Sequence, residues 1–197
     1  MTDPRRPSSV DEIARLVGWR AGDFRPELDW EAVERELGTP LPSDYKELLT
    51  RFPSGAFRGS IEVDNPGQSA GELASTKQNN EQLLEIFADE DTGYLTGVSY
   101  RLFPEPGGLY PWGRNDAGGT FWWITDAADP DTWRIAYNDR DHWHEHPGPM
   151  SAVVHEILAS TGEDNILGWD LAGKPVEFTG FVGDRMVVHP AEPQTTP

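Results

Sequence analysis

The chain has no cysteine. It therefore carries no disulfide framework, no thiolate metal site and no cysteine nucleophile. It has no run of about 18 apolar residues, so nothing in it reads as a membrane span. The opening Met1-Thr-Asp-Pro-Arg-Arg-Pro-Ser-Ser has paired arginines but no apolar stretch behind them, which speaks against a secretory signal and predicts a cytoplasmic protein. Bases are scarce: 16 Lys and Arg stand against 34 Asp and Glu, for a net charge of −18. That balance argues against binding nucleic acid, whose phosphates are gripped by Lys and Arg. It points to a basic partner or to plain solubility. Aliphatics are scarce too, with Leu, Ile, Val and Phe making up about one residue in five, just above the level where disorder is the default. The motifs of a nucleophile elbow, a phosphate loop, a zinc-protease helix and a dinucleotide fold are all missing. On these grounds an enzyme is possible but nothing names its chemistry, and no catalytic residue or cofactor is singled out.

What the chain does have is eight tryptophans in 197 residues. Each buries far more surface than an aliphatic side chain, so the composition predicts one folded domain of ordinary size with an aromatic core. Trp112, Trp122 and Trp133 are expected inside it.

Val10, Ile13, Ala14 and Val17 recur at helical spacing behind Ser9 and Glu12, which read as a capping box, and Gly18 ends the run. Asp29 reads as the next N-cap, Trp30, Val33 and Leu37 as an apolar stripe, and Gly38 as a left-handed C-cap. Pro42 suits the first turn of a third helix, with Tyr45, Leu48, Leu49 and Phe52 on its apolar face. From Phe57 to Val63 apolar and polar residues alternate, which predicts one half-buried strand. Asn65-Pro-Gly is a turn. A helix is expected from about 79 to 88 and a short strand within 94–103. Thr120-Phe-Trp-Trp-Ile-Thr125 reads as a central strand, paired across Asp129-Pro-Asp131 with a strand over 133–137. A last helix over about 151–159 and a strand pair within 175–189 complete the pattern. Residues 1–7 and 190–197 read as flexible tails around a single domain spanning 8–189. Sequential strands joined by short turns pair antiparallel. The class is α+β, a mainly antiparallel sheet packed by N-terminal helices and a C-terminal helix.

Two constellations invite a functional reading. The first is acid. Residues 78–100, 115–133 and 141–173 hold five, four and six acids and no Lys or Arg. Such runs are usually solvated surface, and the sharper reading is a face held negative for a cationic partner. The second is His142-Trp-His144-Glu-His146. In an extended segment three imidazoles could share a face, and three with an open fourth position describe a catalytic zinc site. The Pro147-Gly-Pro149 exit fits an exposed loop leading into a helix better, so no bound metal is expected.

Trp30 with Glu31, Leu37-Gly38, Leu41-Pro42-x-Asp44-Tyr45-Lys46 and Leu48-Leu49 resemble the N-terminal motif of the SUKH superfamily, which covers bacterial polymorphic-toxin immunity proteins and fungal cell-wall assembly regulators. Pro111-Trp112-Gly113, Asp116, Gly118-Gly119, Phe121-Trp122, Asp129-Pro130-Asp131 and Trp133 follow that superfamily's middle motif in order. The likeness covers about 28–162. It implies a strongly twisted sheet packed by helices, no catalytic activity, and a protein that binds and neutralises a toxin domain, often a nuclease or deaminase, inside the producing cell. Buried aromatic anchors would give affinity and acids would steer the encounter. The acids expected to face a toxin or other basic protein are Glu81, Glu85, Asp89, Glu90, Asp91 and Asp141, in the part of the chain that departs most from the motif. The alternatives are a regulatory or scaffold module without a toxin, and a metal-dependent enzyme built on His142, His144 and His146.

Overall fold

The computed structural model describes residues 9–20, 24–182 and 185–190. The elements run α1 (Ser9–Leu16), α2 (Trp30–Leu37), α3 (Ser43–Arg51), β1 (Gly55–Phe57), β2 (Ile61–Val63), α4 (Ala70–Ala88), β3 (Arg101–Leu102), β4 (Gly108–Arg114), β5 (Thr120–Ile124), β6 (Arg134–Asn138), β7 (Trp143–His146), α5 (Met150–Ala159), β8 (Glu177–Val182) and β9 (Arg185–Pro190). The strands form one sheet in the order β7-β6-β5-β4-β2-β1-β8-β9, with β3 added to β4. Every pairing is antiparallel except β3 with β4. The fold is α+β, as the order of patterns implies. No helix among the described residues is long and apolar enough to cross a membrane. The tails expected at 1–7 and 190–197 lie outside the described residues, apart from Pro190, whose backbone closes β9 opposite Glu177.

Side chains alternate across the central strands and feed two cores. Phe121 and Trp123 of β5, with Ile135 and Tyr137 of β6, face the main core, which α1, α2, α3 and α5 also fill. Trp122, Ile124 and Ala136 face a smaller cluster closed by Leu83, Leu84 and Phe87 of α4 and by residues 94–102. Trp112, Trp122 and Trp133 are 5%, 0% and 6% exposed, so tryptophan does fill the interior that aliphatics cannot.

Asp29 and Gly38 cap α2 as their types require. The Ala32 N–H donates to Asp29 Oδ1 at 2.7 Å, and Gly38 sits at φ 75°. Four readings change. α1 already includes Ser9, which is therefore a helical residue and not the cap. The alternating stretch 57–63 is no single strand but a hairpin. Arg58 and Gly59 turn it at φ 57° and 54°, the paired positive φ that matches the right-handed twist of flanking strands. The Gly- and Pro-rich stretch near 108 holds β4, a strand with a bulge between Pro111 and Gly113, where a sheet tolerates proline. The helix expected from 79 begins at Ala70. Ser69 caps it by accepting from the Glu72 N–H at 3.2 Å.

Two motif acids turn out to be caps supplied by other elements. Pro42 and Pro149 stand at the N-caps of α3 and α5 and offer no side-chain acceptor. Asp131 Oδ1 takes the Ser43 N–H at 2.6 Å instead, and Asp44 Oδ2 takes the Ser151 N–H at 2.8 Å. Each acid satisfies an otherwise orphaned donor at a helix start. Burial pushes the Asp44 carboxyl above its usual range, against the opposing pull of the Ser151 N–H. A carboxyl with a raised folded-state pKa holds its proton more tightly when folded. Its stabilising contribution is complete below about pH 4 and is lost as pH rises through the raised value. Asp44→Asn keeps a neutral acceptor for Ser151 at every pH. It should match or exceed the parent in urea at pH 7, with the two midpoints converging in acid. Asp44→Ala, which removes the cap, should cost about 1 kcal/mol. A parent that gains on the Asn variant as pH rises would show that the charge, and not the acceptor, is what the site needs.

Candidate functional site

The site begins with α4. Its apolar contacts come from Leu73, Leu83, Leu84 and Phe87, while Glu81 and Glu85 are exposed. At its end the Asp89 N–H donates to Glu85 O at 3.2 Å. The Asp89 carboxylate then accepts the Asp91 N–H at 3.0 Å and starts a 3-10 turn over Glu90–Thr92, which Gly93 closes at φ 71°. This acidic corner is pinned from beneath. The Phe87 ring stacks on Tyr94 at 4.4 Å and meets Trp122 at 4.6 Å. Trp143 Nε1 donates to Tyr94 O at 3.1 Å, tying the corner to the start of β7. Asp141 lies two residues before that tryptophan, exposed in the β6–β7 turn.

The field at this corner works against the helix. The last turn of α4 contains no base and includes Glu85, with Asp89 at the C-cap. Exposed acids at a helix C-terminus oppose the macrodipole by roughly 0.3–1 kcal/mol each. Among the described residues none of the six expected acids forms an ion pair with Lys, Arg or His.

The other two acidic stretches are spent largely on folding. Asp126 and Glu145 both hold Arg134, and Glu145 also takes the Tyr100 hydroxyl at 2.7 Å. Asp129 caps the 3-10 turn over Pro130–Thr132, and Asp131 caps α3. Glu156 faces His146 at 3.3 Å, and Asp170 accepts the Ala172 N–H. In α2, Glu34 is likewise structural: one oxygen takes both the Leu41 N–H at 2.9 Å and Lys46 Nζ at 2.7 Å. Glu36 pairs with Lys77 across to α4. Charge runs that look alike in sequence thus separate by what their carboxylates hold.

The histidine segment, read as a loop, forms the edge strand β7 from Trp143 to His146, and its three imidazoles do not share one site. His142 Nδ1 and His144 Nε2 approach Asp139 Oδ2 at 3.7 and 3.2 Å, while His146 turns to Glu156. Burial alone would raise the Asp139 carboxyl. The N–H groups of His142 and Asp141, with the His144 ring, outweigh it and hold the carboxyl below its usual range. Among the described residues no group of three or more His, Cys, Asp or Glu side chains is placed to hold a metal ion. The motif residues Trp30, Tyr45, Trp112 and Trp133 all pack against or within the main core. Gly118 and Gly119 are turn chemistry: Gly118 has φ 85°, and a Cβ on Gly119 would stand 2.5 Å from the Tyr137 hydroxyl.

A family model described as SMI1 / KNR4 family (SUKH-1) matches residues 26–154. That span runs from just before α2 into the first half of α5. No curated protein and no solved structure matches the chain.

Proposed function

Since the chain belongs to the SMI1/KNR4 family (SUKH-1), whose members act as immunity or regulatory modules without catalysis, we propose that this one neutralises a basic toxin domain, a nuclease or deaminase, in the cytoplasm. The unit that does so is the single domain over 8–189. One observation carries the reading. Glu81, Glu85, Glu90 and Asp91 are exposed and form no ion pair among the described residues, and Glu85 with Asp89 stands at a helix end where exposed acid costs stability. Several acids elsewhere do structural work: Asp29, Asp129 and Asp131 cap helices, and Glu34, Glu36, Asp126 and Glu145 pair with bases. Surface that spends stability without a folding return serves a partner. Glu81, Glu85, Asp89, Glu90, Asp91 and Asp141 would stand in for the phosphates that the toxin's Lys and Arg grip, steering the encounter as the partner approaches.

The test begins with affinity capture from the native cell, which should yield a basic protein. Association with that protein should reach on the order of 10⁸ M⁻¹s⁻¹ at low salt and fall steeply as salt rises. Changing the six acids to Asn or Gln should lower the on-rate most. The fold should persist, because Asn at position 89 still caps the turn and exposed charges contribute little stability. Glu31→Gln, on the exposed side of α2, should do much less. A six-fold variant that associates as fast as the parent at low salt would reduce the acid to a solubility device.

A further inference from the structure

The sheet ends in two unlike edges, β7 on one side and β9 on the other. An open edge can recruit another strand, and proteins commonly blunt it with charge, proline or shortness. β7 is blunted: it has four residues, carries Glu145 between two histidines and runs into Pro147. β9 has six residues and is wholly apolar from Met186 to Val188. Its free side follows from its neighbours. The Arg58 N–H donates to Glu177 O at 2.7 Å, and the Phe181 N–H to Ser54 O at 3.0 Å. Glu177, Thr179 and Phe181 thus turn their backbone groups away from β9. Phe178, Gly180 and Val182 turn theirs toward it, opposite His189, Val187 and Arg185. Met186 and Val188 therefore aim their N–H and C=O groups outward, where no described strand lies beside them.

One face of this hairpin is as bare as its edge. Opposed residues of an antiparallel pair share a face, which puts Thr179, Phe181, Met186 and Val188 together. Pairing carries that face through Ala56, Glu62 and Arg114 to Thr120, and so to Trp122. α4 covers it there, over β4 to β6, and not over the hairpin. Of the large apolar side chains exposed among the described residues, all but Ile86 lie in β8 and β9. Charge decides what covers them. Residues 174–190 hold two bases and two acids, on a chain of net −18. A basic protein finds no excess acid here, while a second copy of the chain meets no net repulsion. The acidic corner is tied to β7, at the far end of the sheet, so contact at β9 holds two such corners apart. We infer that β9 pairs antiparallel with β9 of a second copy across a two-fold axis. Met186 and Val188 fix the register, because Pro190, the next outward residue, has no N–H to give. With Val187 opposite the partner subunit's Val187, Met186 exchanges both hydrogen bonds with the partner subunit's Val188, and Val188 with the partner subunit's Met186. The same register sets those side chains against each other and extends the apolar face across the axis. The pairing leaves the acidic corner free, and it stands or falls apart from toxin binding.

Sedimentation of the full chain over roughly 1–300 µM, the range of a small interface, should show growth from 22.0 kDa toward twice that mass. Added salt should strengthen the dimer, because it screens two copies of a −18 chain. It weakens attraction to a basic partner, so the two readings part on this measurement. Val188→Pro removes an N–H that bonds nothing within the chain, and Met186→Lys places a charge at an exposed position. Each should weaken association about tenfold or more, with the dilute monomer melting as the parent does. The chain has no cysteine, so Val187→Cys supplies its only thiol. Mild oxidation should join two chains there, since antiparallel residues at a non-hydrogen-bonded pair stand about 4.5 Å apart at Cα, within disulfide reach. Glu90→Cys, at the acidic corner, should not join. A chain that stays monomeric at the highest concentration with salt added overturns the inference and leaves the edge to a strand of another protein. It falls too if the dimer survives both edge variants, or if Glu90→Cys joins as readily as Val187→Cys.

Discussion

Replacing Arg58 with methionine should remove about 3–5 kcal/mol of stability, the range seen when one partner of a buried charged network is deleted. That is a large share of the 5–15 kcal/mol that holds a typical domain together. Arg58 is 6% exposed. Its Nη1 donates to the carbonyls of Ile157, Leu158 and Ser160 at 2.9, 2.9 and 2.7 Å, and its Nη2 to those of Leu171 and Lys174 at 2.6 and 3.1 Å. The first three are the open carbonyls at the end of α5, where a cation also complements the helix dipole. Burial lowers the guanidinium pKa, but no carboxylate is needed when five oxygens surround the charge. Methionine keeps the stem and abandons those oxygens. Lysine keeps the charge but lacks the planar fork that reaches both α5 and the 171–174 turn, so Arg58→Lys should lose most of the same stability. Urea unfolding followed by far-UV circular dichroism reads the effect. A methionine variant within about 1 kcal/mol of the parent would mean that water satisfies those carbonyls equally well.

The second large effect separates two neighbouring tryptophans. Trp123 is 1% exposed and sits among Tyr45, Tyr110, Trp112 and Trp133, with ring centroids 4.9–6.3 Å away. Trp123→Ala should cost about 3–5 kcal/mol, lost transfer energy plus a cavity that the strand cannot collapse around. Trp122→Ala should cost a similar amount, but through the other cluster, where the indole supports Phe87 and Trp143. Hydrogen exchange should therefore quicken first over residues 83–103 in that variant. Phenylalanine resolves the two contributions. The indole N–H of Trp122 has no acceptor among the described residues, so Trp122→Phe gives up volume only. Trp133 donates to Ala127 O at 2.7 Å, and Trp133→Phe orphans that oxygen as well. Equal costs for the two Phe variants would show that the hydrogen bond contributes nothing.

The sequence announced elements wherever one local rule acted alone. Asp29 and Gly38 mark α2 through cap chemistry, and Thr120–Thr125 marks β5 by its unbroken β-branched and aromatic run. Expectation failed where a polar side chain had a distant purpose. Arg58 alternates with Phe57 as a solvent-facing strand residue would, and only the fold brings it to carbonyls about a hundred positions away. The first half of α4 is hidden because Thr76, Asn79 and Asn80 interrupt its apolar period, although Ser69 and Glu72 had the spacing of a capping box. β4 is hidden by Pro111, tolerated only because of the bulge. The candidate site was legible as composition and not as arrangement. All three acidic stretches are equally free of bases, and nothing local distinguishes Asp131, which caps a helix across 88 positions, from Glu85, whose carboxylate forms no ion pair among the described residues.

Trp19 lies before the span matched by the family, and His189 after it. Their rings meet at 4.4 Å, and Trp19 also packs on Phe52 and Phe178 while donating its indole N–H to Arg51 O. β8 extends the sheet beyond β1, and the matched span stops inside α5, short of every carbonyl that Arg58 holds. Kinship and mechanics therefore draw different borders on this chain. The matched segment is an incomplete mechanical object, completed by Trp19 before it and by the end of α5, β8 and β9 after it. A change at Trp19 must be answered at Phe178 or His189, because their rings share one packing cluster.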